Sequence, residues 1–246
     1  MRTVLHNAAD LKERGFQLLT PPVTFVSFDP AGDGDDRDAI VGLSREEHQK
    51  GEPHDPDFSV EFLFRVLMAH RLPQDWEFPD KLAALLSLDR QLRVWRGQGR
   101  HSEHFFCVET NGVGYGYASS MSRKTSTRII PYATVGNANA ARAPQADARI
   151  SMPRLKALDN LRILMETGYI RRTKDGPGMK MLEEEMNAFV WRGKGRPEAM
   201  AGQTDDLVMA LTGGVWIASQ VVPPVLKQER VRNPTPRPSF DRMRLN

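Results

Sequence analysis

The chain is poor in cysteine: Cys107 is the only one among 246 residues, so no disulfide can form within the chain and a reducing compartment suits it. Cys107 falls in the apolar run Phe105-Phe-Cys-Val108, which predicts a buried, inert thiol. No stretch approaches the roughly 18 apolar residues of a membrane span, and residues 1–20 are too polar for a secretory signal. A soluble cytoplasmic protein with no membrane partner is expected. Neither sign of charge dominates, with 34 Lys/Arg against 31 Asp/Glu. Nothing fits G-x-x-x-x-G-K-[ST], so no phosphate-cradling ATPase loop is present in these residues. Internal repeats and heptad arrays are absent too.

The length and an ordinary 40% hydrophobic content fit one large domain with tails. Residues 1–22 read as a lead-in or linker remnant closed by Pro21-Pro22, 23–222 as the domain, and 223–246 as a tail. From Lys227 to the end there are six Lys/Arg and two acids, together with Pro234, Pro236 and Pro238. An extended basic tail of this kind can dock on a polyanion or a partner protein, or simply aid solubility.

Hydrophobic patterning gives strands over 23–28 and 39–43, joined by an acidic, glycine-bearing turn and followed by a charged loop over 44–57. The segment 58–72 predicts a long third strand, with a helix as the alternative. Leu82, Leu85, Leu86, Leu88, Leu92 and Trp95 repeat near 3.6 residues and predict a helix over 78–96 with Pro79 in its first turn. A buried central strand is expected over 105–108, then a helix through about Met121. A strand over 128–132 is expected to end around Pro131. Helices over 152–167, with Gly168 as C-cap, and over 179–191 flank a short strand at 169–172. The last helix follows Thr204, read as its N-cap with two acids behind it. Three meandering strands followed by alternating helices and strands imply an α/β mixed sheet covered by helices on both faces.

Acids stand at three apolar boundaries. Asp29 closes the first strand, Glu109 closes the central strand, and Asp205 and Asp206 open the last helix. Asp29 also begins a run with Asp33, Asp35, Asp36 and Asp38, five aspartates within ten residues, readable as a solvated turn or as a cation site. If the strands ending at Asp29 and Glu109 are parallel neighbours, both acids emerge at one edge, and the helix N-terminus there adds a third. Hard oxygen donors of this kind suit Mg²⁺ or Mn²⁺. Two such ions could serve phosphodiester cleavage. Taken singly, acids in a first helical turn need no metal to explain them.

Three motifs carry a resemblance: Phe28-Asp29-Pro-Ala-Gly-Asp-Gly-Asp-Asp-Arg-Asp-Ala-Ile-Val41, Val108-Glu109-Thr-Asn-Gly-Val-Gly114 and Gly202-Gln-Thr-Asp-Asp-Leu-Val-Met-Ala-Leu211. In order and content, from about residue 23 to 219, they resemble the nuclease domain of tailed-phage large terminase subunits. The resemblance implies a ribonuclease-H-like fold and a metal-dependent endonuclease that cuts concatemeric double-stranded DNA during genome packaging. Asp29, Glu109 and Asp206 would be the metal-binding acids, with Asp205 and Asp36 as neighbours for a second Mg²⁺ or Mn²⁺ ion. The partners it implies are double-stranded DNA, a terminase ATPase motor, a small terminase subunit and a portal, in the cytoplasm of a bacterial host. Such subunits normally carry the motor before the nuclease, so a separated nuclease part or a split prophage gene is expected here. Gln203 stands where many relatives place a histidine.

Other signals are weaker. Gly112-Val-Gly-Tyr-Gly116 imitates a dinucleotide loop, but the following strand lacks a ribose-binding acid, and close backbone packing beside Glu109 explains these glycines better. His101 and His104 read as surface histidines. Arg123, Lys124, Arg192, Lys194 and Arg196 could track a DNA backbone or be solvated loop residues. The rival functions are another nuclease of the same fold, such as a junction resolvase or ribonuclease H, and a non-catalytic packaging or adaptor module.

Overall fold

The strand patterns assemble into one eight-stranded mixed sheet. The structure is a computed structural model that describes residues 15, 17–18, 21–31, 37–51, 59–136, 149–173, 175–190, 197–200 and 204–220. The lead-in is therefore only partly covered, and the tail lies outside the described residues.

The strands are β1 (Gln17–Leu18), β2 (Val23–Asp29), β3 (Ala39–Lys50), β4 (Ser59–Arg71), β5 (Glu103–Glu109), β6 (Arg128–Val135), β7 (Ile150–Pro153) and β8 (Ile170–Arg172). Their order is β7-β6-β5-β2-β3-β4-β8, with β1 paired to the far end of β3. β2, β3 and β4 form the antiparallel meander, and β5, β6 and β7 add in parallel beyond β2. A separate two-stranded pair joins β9 (Phe189–Val190) to β10 (Glu198–Ala199). The described helices are α1 (Phe78–Gly97), α2 (Gly114–Lys124), α3 (Arg154–Glu166), α4 (Met179–Ala188) and α5 (Asp206–Gln220).

Side-chain alternation along the strands builds two cores. Val26 and Phe28 of β2, with Phe106 and Val108 of β5, pack under α1 and α2 through Leu82, Leu85, Tyr117 and Met121. Val23 and Phe25, with Phe105 and Cys107, face the opposite side, where Leu158, Leu182 and the body of α5 cover them. Cys107 is fully buried, and burial pushes its thiol pKa up, as its apolar run implied. α5 is buried on nearly every side, which its sequence (Leu207 to Ala218 with few polar residues) requires. Gly213 and Gly214 let it lie close to the sheet: a Cβ on Gly213 would sit 2.2 Å from the Tyr132 hydroxyl, and one on Gly214 would sit 2.5 Å from Leu43.

Several boundaries differ from the sequence reading. β3 runs on to Lys50 instead of stopping at Leu43, because its charged stretch is paired rather than solvated: Arg45 bonds Glu47 at 2.8 Å and Arg65 bonds Glu46 at 2.9 Å. β6 continues through Pro131 to Val135. Pro131 precedes the residues that pair with β7, at a point where β6 has only one neighbouring strand, so the missing N–H is tolerated. β7 is an addition that the local sequence pattern does not reveal. The long third strand is a strand, not a helix, held by twelve register pairs with β3. α4 stops at Ala188, and the chain turns into β9. His101 and His104 are buried, not superficial, each only 4% exposed. Asp89 of α1 accounts for His104, accepting from its Nε2 at 3.0 Å and from the hydroxyls of Thr125 and Thr127.

Candidate active site

Strand register decides where the acids go. β2 and β5 are parallel neighbours, with Phe28 opposite Val108, so Asp29 and Glu109 leave the sheet side by side at its C-terminal edge. Asp29 shares the parity of Phe25, and Glu109 that of Phe105. Both acids therefore point toward the face covered by α5. Asp206 is the first residue of α5 and is buried at 8% exposure.

The electrostatics record this proximity. The Asp29 carboxyl is pushed well above its ordinary pKa, first by burial, then by the charge of Glu109 and a hydrogen bond with it, then by Asp206 and Asp205. A hydrogen bond between two carboxyl groups requires a shared proton, and that proton relieves the repulsion. A divalent cation would relieve it in the same way. The donor set consists of hard oxygens and so fits Mg²⁺ or Mn²⁺. Among the described residues, no three such side chains are gathered closely enough to hold an ion as they stand.

The neighbours of the acids divide the work. The Asn111 Nδ2 group donates to Glu109 Oε1 at 2.9 Å and to the Thr134 carbonyl at 2.8 Å, which fixes the glutamate against β6. Gly114 opens α2 hard against this corner: a Cβ there would lie 1.7 Å from the Glu109 carbonyl oxygen and 2.8 Å from Pro30. Close packing beside Glu109 thus accounts for that glycine. Tyr132 lies beneath, fully buried, its hydroxyl pKa raised first by burial and then by the charge of Asp29. The Arg37 N–H, two residues before β3, donates to Asp206 Oδ2 at 3.3 Å.

Asp205 and Asp206 have different surroundings. Asp205 is partly exposed and ion-paired with Arg154 at 2.8 Å, a cation contributed by α3 that the motif itself did not contain. Thr204 is not the N-cap. The Asp205 carbonyl accepts from the Met209 N–H at 2.8 Å, which puts Asp205 in the capping position, while the Thr204 hydroxyl accepts from Arg71. The Val208 N–H is taken by Glu185 Oε1 at 2.9 Å. Sequence reasoning misses Glu185, since an acid within the Glu183-Glu-Glu185 run reads as solvated surface. Asp38, in the sequence merely one member of the acidic run, is buried and structural, accepting from the Ala31 N–H at 3.1 Å and pairing with Lys81.

Asp36 and the basic candidates Arg192, Lys194 and Arg196 lie outside the described residues, as does Gln203. Arg123 and Lys124 are exposed at the C-terminal end of α2, whose N-terminus adjoins Glu109. An eleven-residue helix puts them about 15 Å from the acids, along the helix rather than beside them.

The chain matches no protein-family model and no curated protein. Solved structures do resemble it. The human cytomegalovirus terminase nuclease domain superposes with a TM-score of 0.51 at 14% identity, covering 83% of this chain and 85% of that one. The same viral domain, manganese-soaked and inhibitor-bound, gives a TM-score of 0.51 at 13% identity over 89% of each chain. The fold is ribonuclease-H-like. At this identity the likeness is one of fold, and the site argument rests on the carboxylates themselves. No described helix is long and apolar enough to cross a membrane.

Proposed function

We propose that this chain is a divalent-metal-dependent endonuclease domain of the large-terminase type, cutting concatemeric double-stranded DNA during phage or prophage genome packaging. The observation that carries the reading is the register of β2 against β5, which sets Asp29 beside Glu109 on the face where Asp206 opens α5. The ribonuclease-H-like fold shared with a viral terminase nuclease domain supports it, and a manganese-soaked form of that domain favours Mg²⁺ or Mn²⁺ here.

Asp29, Glu109 and Asp206 would hold the metal, with Asp205 and Asp36 as candidates beside a second ion. When bound, a pair of such ions supplies Lewis acidity to a phosphodiester and lowers the pKa of water. The protein's own part is positional. β2 and β5 fix two carboxylates at a strand-to-strand spacing of about 4.8 Å. Asn111 orients Glu109, and the buried body of α5 holds Asp206 over them. Basic residues, including the tail from Lys227 onward, would contact phosphates rather than base edges, so sequence preference should be slight. An ATPase motor, a small terminase subunit and a portal are the proposed partners, in the host cytoplasm.

The test is plasmid nicking in Mn²⁺ by the whole chain and by Asp29→Asn. Loss of cutting in a folded variant supports the assignment, and retained cutting rejects it. Preference for four-way junctions or RNA–DNA hybrids over plain duplex would move the reading to a resolvase or a ribonuclease H.

A further inference from the structure

We propose that Glu185 and Arg71 are the positioning pair for the third carboxylate of the site, a role that rests on the nuclease reading above. Asp29 and Glu109 are set by strand pairing, but Asp206 sits in the first turn of a helix, where backbone N–H groups lack intrahelical partners and ends fray. Its placement depends on whatever holds that turn. Thr204, the residue whose type suits capping, has its hydroxyl engaged by Arg71 instead. The Val208 N–H is satisfied from another element, by Glu185 Oε1 of α4 at 2.9 Å. The other oxygen, Oε2, is ion-paired with Arg71, and the same Arg71 Nη2 reaches Thr204. Glu185 is only 5% exposed, and both its oxygens are engaged. It therefore holds the helix end and leaves the metal to its neighbours.

The geometry also explains why Arg71 is the right anchor. Arg71 stands opposite Ala39 on β3, and Ala39 stands opposite Asp29 on β2. Glu109, Asp29, Ala39 and Arg71 thus form one row across four strands. Through Arg71 and Glu185, the turn carrying Asp206 is tied to the same row of the sheet that carries the other two acids. Side chains that orient metal ligands typically influence affinity or activity 10–100-fold when replaced.

The test is a Mn²⁺ titration of the whole chain, reading the melting temperature with Mn²⁺ alone and the Mn²⁺ midpoint for plasmid nicking. Glu185→Gln keeps an acceptor for Val208 but loses the charge that holds Arg71; Glu185→Ala loses both; Arg71→Met removes the anchor. The expected result is a Mn²⁺ midpoint raised about tenfold in Glu185→Gln and Arg71→Met, and further in Glu185→Ala. A merely structural role would lower the metal-free melting temperature and leave the midpoint of the folded protein where it was, and that outcome overturns the inference. If Glu185→Ala does not fold, Glu185→Gln and Arg71→Met decide. Asp29→Asn separates the two levels. If it abolishes the Mn²⁺ response while the Glu185 and Arg71 variants keep the wild-type midpoint, the positioning role alone fails. If it leaves the Mn²⁺ response intact, the nuclease reading fails and takes this inference with it.

Discussion

Replacing Asp29 by asparagine should stabilise the metal-free protein while abolishing its response to metal. Burial and the charges of Glu109, Asp206 and Asp205 raise the Asp29 pKa in the folded state. Between the unfolded value near 3.9 and that raised value, the folded chain binds more protons than the unfolded one, so stability falls as pH rises. The penalty is absent below the unfolded value and complete above the folded one. Two carboxylates on adjacent strands, about 5 Å apart, repel by about 3 kcal/mol at an effective dielectric of about 20. The open rim of the site screens part of this, leaving about 1–3 kcal/mol. Asparagine removes the charge and can still donate a hydrogen bond to Glu109. At pH 8 without metal, its melting temperature should exceed the wild type's by roughly 3–8 °C, and at pH 4 the gap should nearly close. Saturating Mn²⁺ should reverse the order, because wild type alone gains about 4.1 kcal/mol at a thousandfold excess over Kd. Thermal melts at the two pH values, with and without Mn²⁺, test this. A metal-free variant less stable than wild type at pH 8, or one that still gains from Mn²⁺, would refute the reasoning.

Gly213→Ala places a methyl against the Tyr132 ring and hydroxyl and should cost about 1–3 kcal/mol by urea denaturation. Tyr132→Phe in the same chain should recover part of that loss. Burial alone would raise the Asp89 pKa, but hydrogen bonds from Thr127, His104, Thr125 and Arg93 outweigh it and hold the value at about 2. Its stabilisation is therefore present above pH 4 and lost as pH falls through 2, and Asp89→Asn should lower neutral-pH stability by about 3 kcal/mol and flatten that acid limb. Removing residues 223–246 should leave Mn²⁺ binding unchanged and make DNA binding less sensitive to salt, the log–log slope shrinking by about 0.9 for every phosphate the tail neutralises.

The central elements were readable because local pattern and tertiary role agree in them. β2, the heart of β5, α1 and α5 each carry an apolar run or a helical period that survives into the core. Several of the misread segments are ones where polar residues find partners inside the protein. Arg45, Glu46 and Glu47 look like a loop until Arg65 arrives from β4. His101 and His104 look superficial until the Asp89 network encloses His104. The first turn of α5 offers Thr204 as its cap, whereas the partner actually used, Glu185, comes from twenty-three residues upstream. No local pattern encodes such long-range partners.

One signal for the site was present in the sequence and depends only on parity. Asp29 lies four residues beyond Phe25, and Glu109 four beyond Phe105, so each acid must share the face of its aromatic partner as long as the strand stays regular. Phe25 and Phe105 stack on each other with centroids 5.4 Å apart, on the α5 side. Placing the aromatics together therefore places the acids together, one strand spacing apart. A slip of one residue in either strand would send its acid to the α1–α2 face and leave Asp206 without that neighbour. The apolar packing that makes such a slip prohibitive is thus the same packing that assembles the carboxylates, so the stability of the sheet and the composition of the site are set by one register.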